Sequence, residues 1–117
     1  LLHIGCTDAA LLDFCRRQEI QIEAYSPIAH GEALKNLDIV ATASKYGVSP
    51  AQLCVRYAVQ LGAVALPKTA NPAHMHSNAA IDFAISDENM ETLRRVERLR
   101  DYGEFNIFPV FSGKPLA

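Results

Sequence analysis

The segment Ala63-Val64-Ala65-Leu66-Pro67 is wholly apolar and lies between two helix-forming stretches. A strand with no polar position must be covered on both faces, a need met by a parallel sheet layered between helices. A second strand-like segment, Ile20-Gln21-Ile22-Glu23-Ala24, alternates apolar and polar residues. Tyr25-Ser26-Pro27 ends it, because proline lacks the amide a strand ladder needs. Leu1 to Ile4 read as the end of a further strand, broken by Gly5.

Helix signals fill the intervals. Thr7 is placed to cap a helix running to about Gln18, with Asp8 in its first turn and Leu11, Leu12, Phe14 and Cys15 on its buried face. His30-Gly31 to Asn36 read as loop. Asn36 then caps a helix from Leu37 to Tyr46, and Gly47 suits the position after its end. Ser49-Pro50-Ala51-Gln52 combines a cap, a proline at the first helical position and a capping-box glutamine. The helix it opens runs to Leu61 and carries one narrow polar stripe, Gln52, Arg56 and Gln60. Lys68-Thr69-Ala70 form a turn. Asn71 and Pro72 start a short helix to about Ala79, with Phe83 and Ile85 as buried spacers after it. Ser86 starts the last helix, with Met90, Leu93, Val96 and Leu99 on one side and a Glu91–Arg95 pair.

Strands alternating with helices imply parallel β/α units. A closed eight-stranded barrel takes ~250 residues; the 117 residues here would supply about three of its units, as one partial domain with a tail from about 100 to 117. The abrupt start at Leu1 reads as an entry into mid-domain. Net charge is −2, against a basic nucleic-acid surface. No apolar run approaches the ~20 residues of a membrane helix. Cys6, Cys15 and Cys54 sit in apolar segments without disulfide-framework spacing, which points to reduced core thiols and a cytoplasmic protein.

Ligands of α/β folds sit beyond the C-terminal ends of the strands. Tyr25 there offers a flat face for a planar ring. Lys68 and Thr69 offer a charge and a hydroxyl for a phosphate, just before the helix that Asn71-Pro72 opens. These residues point to a nucleotide; they are equally compatible with core packing by Tyr25 and a solvated lysine.

Ala24-Tyr25-Ser26-Pro27-Ile28, Gly47-Val48-Ser49-Pro50-Ala51-Gln52-Leu53, Leu66-Pro67-Lys68-Thr69, Asn78 and Asp82-Phe83 keep order and spacing along nearly the whole chain. As a set they resemble the C-terminal part of the aldo-keto reductases, nearest the prokaryotic branch with the diketogluconate and glyoxal reductases. The resemblance implies an α/β fold, the C-terminal part of a (β/α)8 TIM barrel. It also implies NADPH-dependent reduction of small aldehydes or ketones to alcohols. Tyr25 would stack on the nicotinamide. Ser26 and the backbone around Ile28 would hold the pyrophosphate, with His30 nearby, and Lys68 and Thr69 the 2′-phosphate. His74 falls where the family often has an arginine over the adenine, and Asn78 would bond the adenine edge. Ser77 stands where a glutamate is common. His74 cannot make an arginine's bidentate fork, so NADH stands as the alternative cofactor.

The family's catalytic aspartate, tyrosine, lysine and histidine would lie upstream of Leu1, as would a glutamine for the nicotinamide amide. The isolated chain is thus expected to be inactive, its partners being the missing N-terminal half of the barrel and a small carbonyl substrate, with neither nucleic acid nor membrane. Two other readings stand beside this one. The same residues suit a non-catalytic nucleotide-binding half-barrel. The stretch Leu37 to Leu61 also resembles a DNA-binding helix-turn-helix, with Gln52, Arg56 and Gln60 exposed. No metal is expected, since His74 and His76, two apart, point to different sides of a helix.

Overall fold

The computed structural model describes residues 1–99 and Tyr102; the remainder of the 100–117 tail lies outside the described residues. In chain order the elements are α1 (Ala9–Arg17), β1 (Glu23–Tyr25), a 3-10 segment (Ala29–Lys35), α2 (Leu37–Lys45), α3 (Pro50–Gln60), β2 (Val64–Leu66), α4 (Pro72–Ala79) and α5 (Asp87–Arg94). β1 and β2 pair in parallel, with Glu23 opposite Val64, Ala24 opposite Ala65 and Tyr25 opposite Leu66. Parallel β/α connectivity is therefore present, and with it the register that sets both strand ends side by side.

Local signals place most of the helices. Asn36 Oδ1 accepts from the Asp38 and Ile39 amides and starts α2. Ser49 and Gln52 exchange the two bonds of a capping box at the head of α3. Asn71 and Ser86 cap α4 and α5 through the Ala73 and Asn89 amides. Gly47, with φ 64, turns the chain out of α2.

The core is built around α3, which packs on α2, α4, β2 and the 3-10 segment. Leu53, Cys54, Tyr57 and Ala58 of α3 are buried with Ile39 and Ala43 of α2, Met90 and Leu93 of α5, and Ile4, Ala24, Ala29 and Ala33. The polar stripe of α3 is half-buried rather than exposed. Gln52 Nε2 donates to the Ala80 carbonyl at 2.8 Å and Arg56 Nη1 to the Ile81 carbonyl at 3.4 Å. Gln60 donates to the Ile85 carbonyl at 2.9 Å and accepts from the Ile85 amide at 2.6 Å. Among the described residues the segment from Ala80 to Ile85 has no sheet partner, so these side chains satisfy backbone groups a ladder would otherwise take. The stripe is thus engaged in holding the following chain, and Leu53 is buried in the core.

Four further expectations are corrected. Leu1 to Ile4 form no strand; His3 and Cys6 make an isolated antiparallel bridge around Gly5. Gly5 has φ 82, and a Cβ there would lie 2.9 Å from the Glu97 carbonyl, so the bend needs glycine. Asp8, not Thr7, caps α1 through the Leu11 amide; the Thr7 hydroxyl is drawn into the core, donating to the His3 carbonyl at 3.1 Å and taking the Tyr57 hydroxyl at 3.0 Å. The stretch before Asn36 keeps a non-helical kink at His30 and Gly31, with 3-10 turns on either side of it, rather than an irregular loop throughout. Finally, the apolar faces are only partly covered. Leu11 and Phe14 are 56% and 50% exposed, as are Val64 and Leu66 at 46% and 45%, because no described element lies over those faces.

Replacing Gln60 with alanine strands both backbone groups of Ile85. We expect Gln60→Ala to cost about 1–3 kcal/mol, more than the ~1 kcal/mol of Ser49→Ala, in urea unfolding. Equal or reversed costs would show that the stripe is not what holds the segment.

Candidate functional site

Tyr25 closes β1 opposite Leu66, so the segments after the two strands leave from one end of the sheet. Residues 26–31 leave the first strand and 67–71 the second. Tyr25 is half-buried, and burial raises its phenol above the ordinary value, with the nearby Cys6 adding to the shift. Near neutral pH it is thus an uncharged ring.

The first segment is a tight turn. Ser26, Ala29 and His30 have φ of 52, 48 and 53, and Gly31 has φ 94. The Ser26 carbonyl accepts from the Ala29 amide and the Ile28 carbonyl from the Gly31 amide, both at 2.9 Å. Ser26 Oγ and His30 Nε2 lie 3.2 Å apart, which joins two predicted residues directly. Pro27 and Ala29 are buried, Ile28 partly so, and His30 is exposed.

In the second segment Lys68 is exposed and enters none of the ion pairs of the described residues, which are local pairs within helices or turns. Thr69 Oγ1 accepts from the Asn71 amide at 3.1 Å, setting the cap of α4. His74 and Asn78 lie four apart on α4, which buries none of its residues, so both belong to one open face. From Ile39 through Ile81 the chain contains no aspartate or glutamate, although it carries Lys45, Arg56 and Lys68.

A histidine that sequence reasoning assigned no role lies at the base of the first turn. His3 is fully buried, and its Nδ1–H donates to the Ile4 carbonyl at 2.7 Å. In the neutral ring Nε2 is then an acceptor, and it takes the hydroxyl of Tyr102. The family resemblance implies that the tail around Tyr102 to Phe111 either borders the substrate pocket or simply caps the barrel. Tyr102 itself is 9% exposed and packed on His3, and the rest of that stretch lies outside the described residues. Burial, then the nearby Cys6, pushes its phenol up to about 12. No local pattern signals this pair, since it joins positions 99 apart.

Cys15 and Cys54 are buried thiols and Cys6 is half-buried. Among the described residues no helix is long and apolar enough to cross a membrane, and no three side chains are grouped to hold a metal.

Parallel β/α units with their loops gathered at the strand ends define an α/β protein of the class that binds ligands there. Residues 32–98 match the model of the aldo/keto reductase family. The chain is 40% identical over 97 residues to an uncharacterized oxidoreductase of Schizosaccharomyces pombe, covering 82% of this chain and 35% of that protein. It is 37% identical over 92 residues to the glyoxal reductase of Bacillus subtilis, covering 78% and 33%. Among solved structures it is similar to Gox0644, determined as a variant in complex with NADPH, with TM-score 0.78, 28% identity and coverage of 83% and 36%. The chain belongs to the aldo/keto reductase family. It spans about a third of the length of the curated relatives it matches.

Burial is the largest influence on His3 and lowers its pKa from the ordinary 6.5; its bond to the Ile4 carbonyl opposes the shift. The unfolded chain then binds more protons than the folded one below about pH 6.5, so stability falls as pH drops from there toward the lower folded value. We expect urea-unfolding free energy to decline over that window, and His3→Gln to remove this component of the decline. An unchanged slope in His3→Gln would assign the acid sensitivity to other groups.

Proposed function

We propose that this chain forms the cofactor-holding, C-terminal part of an NADPH-dependent aldo/keto reductase that converts small aldehydes or ketones to alcohols. The observation that carries the proposal is the pairing of Tyr25 with Leu66, which sets an uncharged aromatic ring beside a segment bearing Lys68 and Thr69. The donor set suits a polyanion with planar rings: hydroxyls on Ser26 and Thr69, an exposed ammonium on Lys68, and a long stretch without carboxylates. The residues present therefore fit the cofactor.

In this reading Tyr25 offers its face to the nicotinamide. Ser26, the backbone at Ile28 and His30 hold the pyrophosphate. Lys68 and Thr69 hold the 2′-phosphate, His74 lies by the adenosine, and Asn78 bonds the adenine edge. NADPH, when bound, supplies hydride for the carbonyl carbon. The proton for the carbonyl oxygen must come from elsewhere. Tyr46 is occupied with Ser86 and Asn89, Tyr57 with Thr7 and Tyr102 with His3. Tyr25 has a raised pKa and a ring assigned to stacking. The catalytic aspartate, tyrosine, lysine and histidine would belong to the other part of the barrel, which would also shape the carbonyl pocket.

Nicotinamide fluorescence titration tests this reading. Lys68→Ala should weaken NADPH binding roughly tenfold, the scale of one charge-assisted hydrogen bond. NADH, which lacks the 2′-phosphate, should be little affected. Equal losses for both cofactors would remove Lys68 from the phosphate site. The purified 117-residue chain should not oxidise NADPH with an aldehyde present; turnover would mean that it holds its own proton donor.

A further inference from the structure

We propose that Tyr102 is a positioning residue for the turn after β1: it anchors on His3, backs the His30 imidazole, and so holds His30 where it bonds Ser26. The inference rests on the cofactor role proposed for that turn.

The anchor is rigid. His3 is fully buried and fixed at three points: Nδ1 on the Ile4 carbonyl, Nε2 on the Tyr102 hydroxyl, and its own carbonyl on the Thr7 hydroxyl. Thr7 is held in turn by Tyr57 of α3. Tyr102 stands between two imidazoles. Its ring meets His3 edge-on, with centroids 5.4 Å apart at 71°, and tilts against His30 at 6.0 Å and 38°. On the far side His30 Nε2 reaches Ser26 Oγ at 3.2 Å.

The turn needs such support. Ser26 and His30 both hold left-handed backbone, which costs free energy for residues with a Cβ and persists only where surroundings determine it. Tyr102 adds a wall against the His30 ring. The tyrosine is buried behind His30 and its hydroxyl is committed to His3, so its action on a ligand at the turn is indirect.

The test compares wild type, Tyr102→Phe and Tyr102→Leu by NADPH titration and by imidazole 15N NMR, with urea unfolding used to work where all three are folded. Tyr102→Phe removes the bond to His3 and keeps the ring. It should move the His3 Nε2 resonance and raise the NADPH Kd roughly two- to tenfold, the worth of one neutral hydrogen bond. Tyr102→Leu also removes the wall and should move the His30 resonances and raise the Kd further. Wild-type Kd in both variants would overturn the proposal, as would His30 resonances unchanged in Tyr102→Leu. If wild type itself binds no NADPH, the cofactor reading fails, and the His30 resonances alone decide whether Tyr102 positions the turn. If Tyr102→Leu does not fold, Tyr102→Phe carries the test through its Kd, with a wild-type value overturning the proposal.

Discussion

Three side chains on one stripe of α3 govern how the second half of the described chain is laid down. Gln52, Arg56 and Gln60 bond backbone at Ala80, Ile81 and Ile85. An extended segment without a sheet partner carries amides and carbonyls that are costly to leave unmet as they are buried. Gln60 meets both groups of one residue and is itself steadied by Arg56 Nε at 3.0 Å. With the segment pinned along α3, the Ser86 cap arrives beside Tyr46 of α2, whose hydroxyl accepts from the Ser86 amide and from Asn89. α5 is thereby seated so that Met90 and Leu93 enter the core. The same pinning fixes the exit of α4, and so the helix that follows Lys68 and Thr69.

How far the sequence can be read follows from the range of each interaction. Asn36, Ser49, Asn71 and Ser86 bond amides two or three residues away, so their residue types alone announce the helix starts. Thr7 has the residue type of a cap, yet Asp8 takes that place. What separated them was Tyr57, far along the chain, which engages the Thr7 hydroxyl. The α3 stripe has the spacing of a solvated face. Only the path of residues 80–85, which no short window contains, turns it inward. The candidate site divides in the same way. Tyr25, Ser26, Lys68 and Thr69 follow from strand ends and family motifs, whereas the His3–Tyr102 bond joins the two ends of the described chain.

The turn after β1 joins stability to chemistry. Four left-handed residues within six positions are costly to hold, and three of them carry a Cβ. Burying Pro27 and Ala29 ties the turn to the core and leaves His30 at the surface, so packing supports the strained backbone from beneath.

Strands of a closed barrel have a neighbour on each edge and side chains or helices over each face. Among the described residues β1 and β2 have one neighbour each, and Val64 and Leu66 stand almost half exposed. The wholly apolar composition of β2 is therefore matched to surroundings that these residues alone do not provide. Leu11, Phe14 and Ile20 repeat the mismatch around α1 and the approach to β1, each at least half exposed. Apolar area of this kind is held at a cost in water of about 25 cal/mol per Å², and unpaired strand edges invite association. Packing further β/α units against β1 and β2 would cover these faces and pair the open strand edges.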